Sequence, residues 1–553
     1  MSSAFFAFFF AVFATFQAKQ PTTKPVVESA TIEGRVLKVG TDEPLRKVSL
    51  TLHNVGGEGR AQNTSTDASG RFILKDIQPG RYMLWADRIG FVRQAYGQRG
   101  TDRSGTTLTL AAGQNLSDVA FRLVPTAVIA GRVTDEDGEP IAGAIVHATQ
   151  YCYRGGKRDL VPRVMGDRTN DLGEYRIFGL APGQYFVSAT PARGMGGAAA
   201  TFVQEGGGKS EESYPPVYFP GTNDPARAAP VELHAGEVAS AIDFSLIPAR
   251  AVRVRGRVFN AITGQPGRGV QLHVSARGYA LFGFQGQSAY VDDPQGAFEI
   301  VGVTPGSYTL EAGWSSDEKE YSVRLPLEVG TSDIDGVNIV ITAGARIFGR
   351  LRMEGDTQVA LTNLQVFFPP WDPSSGFSFL EATVKTDGTF NFQNVSDGEY
   401  RVEIMNMTED CYLKSARLGG ESVLETGLKV SSGQAGGSLE IIISSAGGQV
   451  EGVATREGQP FGGARVVLVP DGPRRSQTRL FKLASTDQYG HFILRGIAPG
   501  DYKLFAWEEF EPGAYEDPEF LKRYEDQGEA LRVEENSRLG AQLKLIPSEA
   551  KSP

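Results

Sequence analysis

Residues 486–502 read Thr-Asp-Gln-Tyr-Gly-His-Phe-Ile-Leu-Arg-Gly-Ile-Ala-Pro-Gly-Asp-Tyr, and this stretch decides the fold. A polar turn from Asp487 to Gly490 leads into an apolar strand, and a second turn at Pro499-Gly500 leads into the next strand. An Asp side chain accepts hydrogen bonds from the backbone ahead of it, and glycine adopts the positive φ of a tight reversal. From Tyr502 onward apolar residues alternate with polar ones, which predicts strands with one buried face in an antiparallel sheet.

The same pattern occurs five times along the chain. The turn-and-strand copies span residues 66–82, 169–185, 293–308, 386–400 and 486–502. Each copy is preceded by a strand centred on a glycine, at Gly34, Gly131, Gly256, Gly349 and Gly452. These glycines are 97, 125, 93 and 103 residues apart, which is the size of a domain and too long for a solenoid repeat.

The fold class predicted from these copies is all-β, with five tandem antiparallel β-sandwich domains. Many short strands, Gly/Pro turns and an alternating closing strand in each copy favour sandwiches, and about 100 residues suffice for one sandwich core. The predicted divisions are a leader at 1–18, followed by sandwiches at 28–125, 126–248, 249–345, 346–447 and 448–547.

The repeated motifs resemble a known family, the carboxypeptidase regulatory-like domain. The resemblance rests on the Gly-Arg-Val strand, the Asp-x-x-Gly-x-Phe turn and the Pro-Gly-x-Tyr turn, and the fourth copy departs most from them. Residues 214–221 and 411–414 are similar to stretches of large secreted proteins of soil bacteria such as Acidobacteria. The resemblance implies a prealbumin-like, Ig-like sandwich related to carbohydrate-binding folds. It implies no single activity, because the module accompanies peptidases, transporters, adhesins and polysaccharide-binding proteins.

Composition and the first residues favour an exported protein. The formal net charge of −10 argues against nucleic acid as a partner, since phosphate recognition needs clustered positive charge. Residues 4–16 form an apolar run followed by small and polar residues, as in a secretion signal, although no Lys or Arg precedes it. After this leader no apolar run is long enough to span a bilayer as a helix. We expect a periplasmic, cell-surface or secreted location.

Catalytic, metal and cofactor sites are not predicted. His234 and Glu237 have the His-x-x-Glu spacing of a zinc carboxypeptidase, but they align with a turn in the first copy. His147 and His273 fall on the outward side of one equivalent strand. No nucleophile elbow, Cys/His pair or phosphate loop occurs. Cys152 and Cys411 lie in different copies and are expected to remain thiols.

An acidic insertion distinguishes the fifth copy. Residues 508–529 contain nine carboxylates, and the segment from Asp517 to Tyr524 reads as a short helix with Pro518 near its start. Clustered carboxylates suit Ca²⁺, but the ordered spacing of a calcium loop is missing. We therefore expect a solvated acidic loop.

Aromatic residues in loops are the candidate ligand-binding residues. Sugars stack on exposed aromatic rings, and proline-flanked rings are held stiffly at low entropy cost. The candidates are Tyr214, Tyr218, Phe219, Trp371 and Tyr515. The alternative is that each ring folds back over its own sandwich. Trp85, Trp314 and Trp507 follow the Tyr strands and are expected to pack in the interior.

The sequence thus predicts a non-enzymatic, exported binding protein that recognises carbohydrate or a cell-envelope partner. Two alternatives stay open: a structural spacer or assembly protein without a small ligand, and an accessory subunit of a secreted peptidase. Short Pro-containing joints such as residues 123–126 are expected to restrict motion between units, and if the units stack end to end the chain is a semi-rigid rod on the order of 150 Å long.

Overall fold

The computed structural model describes residues 28–55, 61–98, 105–191, 212–277, 286–316, 319–355, 360–372, 380–431 and 437–548. The leader at 1–18 lies outside these residues. Within them regular structure is almost entirely β, with a short α-helix, α1 (Pro518–Lys522). Short 3-10 helices occur at Pro225–Arg227, Leu361–Asn363, Gly472–Ser476, Thr478–Leu480, Ala514–Glu516 and Glu525–Gln527. For description we divide the chain into five units at the predicted boundaries.

The first unit contains two facing sheets. One has the strand order β4-β1-β8; the other has the order β3-β2-β5-β6, with β7 also paired to β5. The strands are β1 (Ala30–Lys38), β2 (Ser49–Asn54), β3 (Gln62–Ser65), β4 (Arg71–Ile77), β5 (Gly80–Asp87), β6 (Gln94–Ala95), β7 (Leu108–Leu110) and β8 (Asn115–Leu123).

The second unit repeats this plan, with a longer strand β10 and a closing strand divided into β18 and β19. Strand β9 carries β13, β18 and β19 in one sheet, and the other has the order β11-β10-β14-β16, with β12 on β10 and β17 on β14. The strands are β9 (Ala127–Thr134), β10 (Ile145–Arg154), β11 (Lys157–Pro162), β12 (Asp167–Arg168), β13 (Glu174–Leu180), β14 (Gly183–Thr190), β15 (Glu212–Ser213), β16 (Val217–Tyr218), β17 (Val231–Leu233), β18 (Val238–Ala239), β19 (Phe244–Ser245) and β20 (Ala249–Arg250). Strand β20, which opens the third unit, pairs with β15.

The third unit has a sheet in which β21 carries β22, β25 and β28, and a sheet of order β24-β23-β26-β27. The fourth has a sheet of order β32-β29-β38-β35-β36 and the smaller sheets β31-β30-β34 and β33-β37. The strands are β21 (Val252–Asn260), β22 (Gln265–Pro266), β23 (Val270–Ala276), β24 (Gly286–Val291), β25 (Ala297–Val303), β26 (Gly306–Ser316), β27 (Lys319–Val329), β28 (Ile334–Ile341), β29 (Ala345–Glu354), β30 (Gln365–Phe367), β31 (Glu381–Thr383), β32 (Thr389–Val395), β33 (Gly398–Tyr400), β34 (Glu403–Met405), β35 (Tyr412–Leu418), β36 (Glu421–Ser422), β37 (Leu428–Val430) and β38 (Ser438–Ser444).

The fifth unit returns to the plan of the first. Strand β39 pairs with β40, β43 and β46 in one sheet, and the facing sheet has the order β42-β41-β44-β45. The strands are β39 (Gly448–Arg456), β40 (Gln459–Pro460), β41 (Arg465–Pro470), β42 (Lys482–Ser485), β43 (His491–Ile497), β44 (Gly500–Trp507), β45 (Glu529–Val533) and β46 (Arg538–Lys544).

The hydrophobic core follows this division. Five large clusters of buried residues each draw their members from one unit, except that Tyr412 of the fourth unit belongs to the cluster of the fifth. The predicted all-β sandwich class is therefore confirmed. One detail differs from the predicted antiparallel sheets, because the closing strand runs parallel to the opening strand in every unit. The chain crosses to the second sheet before it returns, so the closing strand is not a hairpin partner and can run in the same direction.

The repeated glycine is explained by this parallel pairing. A Cβ on Gly452 would lie 2.0 Å from the carbonyl oxygen of Ala541 on the closing strand, well inside any permitted contact. A Cβ on Gly34 or Gly256 would meet the closing-strand carbonyl of its own unit at 2.0 or 1.9 Å. A residue without a side chain is therefore needed where the opening strand passes closest to its parallel neighbour.

The polar turn and the tyrosine are also structural. Asp487 Oδ1 accepts hydrogen bonds of 2.9 Å from the backbone N–H groups of Tyr489 and His491, which closes the turn. The Tyr502 hydroxyl donates to the carbonyl of Ala498 at 2.7 Å and so fixes the following strand to the preceding loop. Tyr82 bonds in the same way to Gln78 in the first unit. These motifs are chemistry of the fold and not of a ligand site.

The predicted end-to-end rod is wrong. Thr107 of the first unit forms a parallel β-bridge with Asp487 of the fifth, although the two residues lie at opposite ends of the sequence. Short joints restrict motion between neighbouring units but do not fix the direction of the next unit. Contacts between side chains fix it here, and they bring the fifth unit back onto the first.

Candidate functional site

The aromatic candidates of the second unit pack against its own sandwich. Tyr218 is in β16, pairs with Ser188 of β14 and is only 5% exposed, so the expectation of an accessible loop ring is wrong for this residue. Phe219 packs against the same core, with its ring edge-on to Phe244 at a centroid distance of 6.4 Å. Tyr214 is half-buried, and its hydroxyl lies 3.4 Å from a carboxylate oxygen of Glu136. Among these three residues, Tyr214 and Phe219 keep part of their surface exposed.

Trp371 lies at the edge of the fourth unit and is half-buried. The Arg401 guanidinium lies 5.4 Å from the centre of its ring and donates a 3.1 Å hydrogen bond to the Trp371 carbonyl. Gly427 lies so close that a Cβ there would be 3.0 Å from the indole ring. Arg401 therefore holds Trp371 in two ways, by a hydrogen bond to its backbone carbonyl and by a cation–π contact with its indole ring. Arg401 Nη1 also reaches Thr478 Oγ1 of the fifth unit at 3.4 Å.

The acidic insertion of the fifth unit is a packed cap, so the prediction of a solvated loop is wrong. Its apolar residues pack on the outer face of β41 and β44, and we call the cluster that the insertion and this face form together the aromatic cap. The cap comprises Val467, Val469, Phe505, Trp507, Ala514, Phe520, Leu521, Tyr524 and Ile546. Trp507 is 1% exposed and has Phe505 stacked on it at 5.0 Å, which confirms its predicted packing role. The carboxylates obscured this pattern in the sequence because they are interspersed among the apolar residues.

The predicted short helix of this insertion is confirmed. Asp517 caps α1, and its carboxylate accepts a 3.0 Å hydrogen bond from the N–H of Glu519. Tyr515, another candidate, lies just before the helix with its ring 5.6 Å from Phe510 and 6.1 Å from Phe481. Burial, and then the charge of Glu516, raise the pKa of the Tyr515 hydroxyl. This ring contributes to packing of the cap.

The cap also receives the tip of a hairpin from the second unit. The N–H of Tyr153 donates to the carbonyl of Pro512 at 3.1 Å, and Arg158 forms a 3.3 Å ion pair with Glu511. A Cβ on Gly156 would lie 2.8 Å from the carbonyl oxygen of Glu516, so the tip fits only without a side chain there. Burial raises the pKa of Glu516, while backbone hydrogen bonds from Gly155 and Gly156 and the charge of Arg401 oppose the rise. The cap region therefore connects the second and fifth units.

The turn of the fifth unit contacts the first unit through the side chains of Gln488 and Asp487. Gln488 Nε2 donates to the Thr109 carbonyl at 2.8 Å, and Gln488 Oε1 accepts from the Thr109 N–H at 3.0 Å. The Gln488 side chain thereby binds both the N–H and the carbonyl group of Thr109 at the edge of β7, as the backbone of a neighbouring strand would. Thr109 Oγ1 donates to Asp487 Oδ2 at 2.9 Å, and Asp487 is 8% exposed. Sequence reasoning did not identify this contact. The available signal was Gln488-Tyr489, which replaces Ala68-Ser69 of the first copy.

The fourth and fifth units are joined by a charged network. Lys414 Nζ lies 2.9 Å from Glu354 in its own unit and 3.0 Å from Glu535 in the fifth. The Tyr412 hydroxyl donates to Glu535 at 3.0 Å. Hydrogen bonds from Lys414 and then Tyr412 lower the pKa of Glu535. The charged groups of this network are largely exposed, so their main effect is to orient the units.

The histidine and cysteine residues show no catalytic arrangement among the described residues. His234 Nδ1 lies 2.8 Å from Glu237 Oε2 in an exposed turn, as the alignment with the first copy predicts. No group of three or more His, Cys, Asp or Glu side chains in the described ranges is suited to a metal ion. Cys152 and Cys411 do not form a disulfide bond. His147 Nδ1 is buried without a hydrogen-bond partner, and burial lowers the pKa of this imidazole.

Comparison with known proteins gives the family of the first two units. Residues 31–124 and 128–211 match the model of the carboxypeptidase regulatory-like domain. The chain carries this domain in two tandem copies. The resemblance inferred from the strand and turn motifs is thus confirmed for two of the repeats. No curated protein matches the chain.

Solved structures show a weak likeness to this chain. The minor pilin GBS52 of Streptococcus agalactiae is 11% identical, covers 40% of this chain and 96% of its own, and has a TM-score of 0.22. The major pilin subunit BcpA of Bacillus cereus is 9% identical, with coverages of 57% and 99% and a TM-score of 0.15. The Bacillus anthracis TIE protein is 13% identical, with a TM-score of 0.16. The match covers 57% of this chain and spans about half of the TIE chain.

Among the described residues, no helix is long and apolar enough to cross a membrane.

The candidate site is best described as a set of junctions around the fifth unit. The turn at 487–490 contacts the first unit, and the aromatic cap contacts the second. The face around Thr478 contacts the fourth unit.

Proposed function

We propose that this chain is a non-catalytic, exported scaffold that holds several β-sandwich units in a fixed arrangement and presents their outer faces to a cell-envelope partner. The observation that carries the proposal is the use of the aromatic candidates in packing. Tyr218 lies in a sheet, Tyr515 packs within the cap region and Trp371 is held by Arg401. Rings used in this way stabilise an arrangement of units, as expected of a structural or assembly protein.

The outer faces retain apolar side chains that a protein partner could cover. Phe178 on β13 is 74% exposed and Phe348 on β29 is 54% exposed. Isolated exposed apolar residues are common on soluble proteins, so these two positions define where to test for contact and not a patch by themselves. Export is supported by the apolar run at residues 4–16.

Photo-crosslinking in the producing cell tests the scaffold role. A photoreactive amino acid at Phe178 or Phe348 should give a discrete cross-linked product in the envelope fraction. The same label at exposed Glu232 serves as the matched control. Cross-linking to one identified envelope protein from the apolar positions, but not from Glu232, would support the proposal. Recovery of the uncross-linked protein from the cytoplasm would contradict it.

Carbohydrate binding is a second candidate function, favoured by the half-exposed indole of Trp371 beside a guanidinium. Aromatic faces stack on sugar rings, and Arg donates hydrogen bonds to hydroxyl and carboxylate oxygens. A pull-down on insoluble polysaccharides and a glycan array would compare the wild type with Trp371→Ala and Tyr214→Ala. Tyr290→Ala is the control, since this ring is exposed but lies outside the candidate set. Saturable binding lost only in the first two variants would favour the carbohydrate function over the scaffold function.

A further inference from the structure

A cavity of about 440 Å³ lies where the first, fourth and fifth units meet. Its charged and hydroxyl-bearing lining residues are Arg81, Thr107, Glu409, Lys482, Ser485 and Arg495. Three cations therefore face a space that contains one carboxylate. Volumes of this order are typical of small-ligand sites.

The three cations lack adequate counter-charges of their own. Arg81 and Lys482 make no side-chain hydrogen bond or ion pair with another described residue. Arg495 has an ion pair with Asp410 at 3.9 Å, and no described ion pair is longer than this one and that of Arg227 with Asp224. The Nε of Arg495 is buried without a hydrogen-bond partner. Burial lowers the pKa of Lys482, as expected for an ammonium group that has lost water and gained no anion.

We propose that this cavity binds a small oxyanion, a phosphate or a sugar carboxylate, held by Arg81, Lys482 and Arg495. Guanidinium groups bind such anions through paired N–H donors, and the lysine adds a point charge. The bound anion supplies the counter-charge that the described residues leave out. A neutral ligand would leave the cations uncompensated, and a metal cation would be repelled by them.

A neighbouring cavity bears on which anion is bound. It has a volume of about 740 Å³, shares Arg81 and Ile493 with the first cavity, and is also lined by Glu451, Asp487 and Gln542. A free phosphate needs only the cationic cavity. A uronic acid could place its carboxylate there and its hydroxyl groups among the polar side chains of the second cavity.

Thermal shift and equilibrium binding with the full chain test this inference. Inorganic phosphate and glucuronate are titrated separately, with chloride at matched ionic strength as the reference. Either anion should raise the melting temperature saturably, and the anion that binds more tightly identifies the source. Lys482→Met should weaken its binding at least about tenfold, which corresponds to 1.4 kcal/mol or more.

Two features keep the test decisive. Without ligand, Lys482→Met should melt at a higher temperature than the wild type, because removal of an uncompensated, partly buried charge is stabilising. Lys75→Met, an exposed lysine on β4, is the matched control and should behave as the wild type. Arg495→Gln is a second variant on a different strand. The absence of a saturable shift with both anions, or equal binding by Lys482→Met, would overturn the proposal.

Discussion

The second and fifth units share one fold but differ in what covers the outer face of the second sheet. On β10 and β14 of the second unit this face carries His147 paired with Ser188. The equivalent pair on β41 and β44 of the fifth unit is Val467 and Phe505. The face of the second unit is also largely covered, since Ser188 is 5% exposed and His147 Nδ1 is buried. The difference lies in the side chains beneath the cover, which are polar there but apolar in the fifth unit, where the insertion packs on them to form the aromatic cap. The comparison shows that outer-face residues, and not the common frame, decide how a unit is used.

The polar turns of the second and fifth units also share their backbone structure and differ in their variable residues. Asn170 Oδ1 accepts hydrogen bonds from the N–H groups of Leu172 and Glu174, as Asp487 does from its own turn. The backbone chemistry is equivalent, yet Asp171 stays exposed while Gln488, at the equivalent position of the fifth turn, is docked on the first unit. The variable positions between the fixed Asp/Asn and Gly residues therefore create the junction.

The largest effect is expected from removal of the cap's central ring. Trp507→Ala should lower the free energy of unfolding of the fifth unit by about 3–5 kcal/mol, because a buried indole is replaced by a cavity. The matched variant in the second unit is Thr190→Ala, which loses one 3.3 Å hydrogen bond and about 1 kcal/mol. Denaturant unfolding of both variants measures the difference. Equal losses would mean that the cap does not stabilise the fifth unit.

A substitution in the common frame should come next. Gly452→Ala places a Cβ about 2.0 Å from the Ala541 carbonyl and should cost roughly 3 kcal/mol of stability. Gly540→Ala on β46 is the control, since no described atom lies within 4 Å of the added Cβ. Calorimetry of the full chain would show a lowered transition for the first variant alone. An unchanged transition for Gly452→Ala would refute the steric account of the repeated glycine.

A smaller effect is expected at the junction itself. Gln488→Ala removes two hydrogen bonds to Thr109 and should weaken the contact between the first and fifth units by about 1–2 kcal/mol. Amide hydrogen exchange at Thr109 should quicken correspondingly. Asp171→Ala, at the equivalent position of the second unit's turn, should leave exchange at Thr109 unchanged. Slow exchange at Thr109 in both variants would show that Gln488 does not hold the junction.

The smallest effect should be a pH dependence confined to the second unit. Burial lowers the pKa of His147, so the native state binds a proton less readily than the unfolded chain. Stability should therefore be full at pH above the ordinary His pKa of about 6.5 and be lost progressively as the pH falls below it. Thermal melts from pH 7.5 to 5.5 should show a weaker dependence for His147→Gln than for the wild type. His53→Gln, exposed on β2, is the control, and identical slopes for all three proteins would exclude this role.

The repeating parts of the fold could be predicted from the sequence because their causes are local. The Asp-x-x-Gly turn, the tyrosine that bonds four residues back and the alternating strands all act within about 20 residues. The role of Gly452 was visible as a repeat, although its physical reason required the parallel closing strand.

The junctions could not be predicted because their causes are not local. Gln488 contacts Thr109, a residue 379 positions earlier in the sequence, and only its difference from the other copies marked it. The cap was hidden because Phe510, Phe520 and Tyr524 are separated by carboxylates that dominate the composition. Aromatic residues near prolines suggested ligand stacking, but Tyr218 instead completes a sheet. The binding role of Tyr214, Phe219, Trp371 and Tyr515 stays a prediction.

Small-angle X-ray scattering of residues 19–553 tests the central claim most directly. Contact between the first and fifth units requires a maximum dimension well short of the roughly 150 Å expected for units stacked in a rod. A compact profile that does not change with protein concentration is the result this account predicts. A maximum dimension near that of the rod would contradict the account, because Gln488 and Thr109 could not then be in contact.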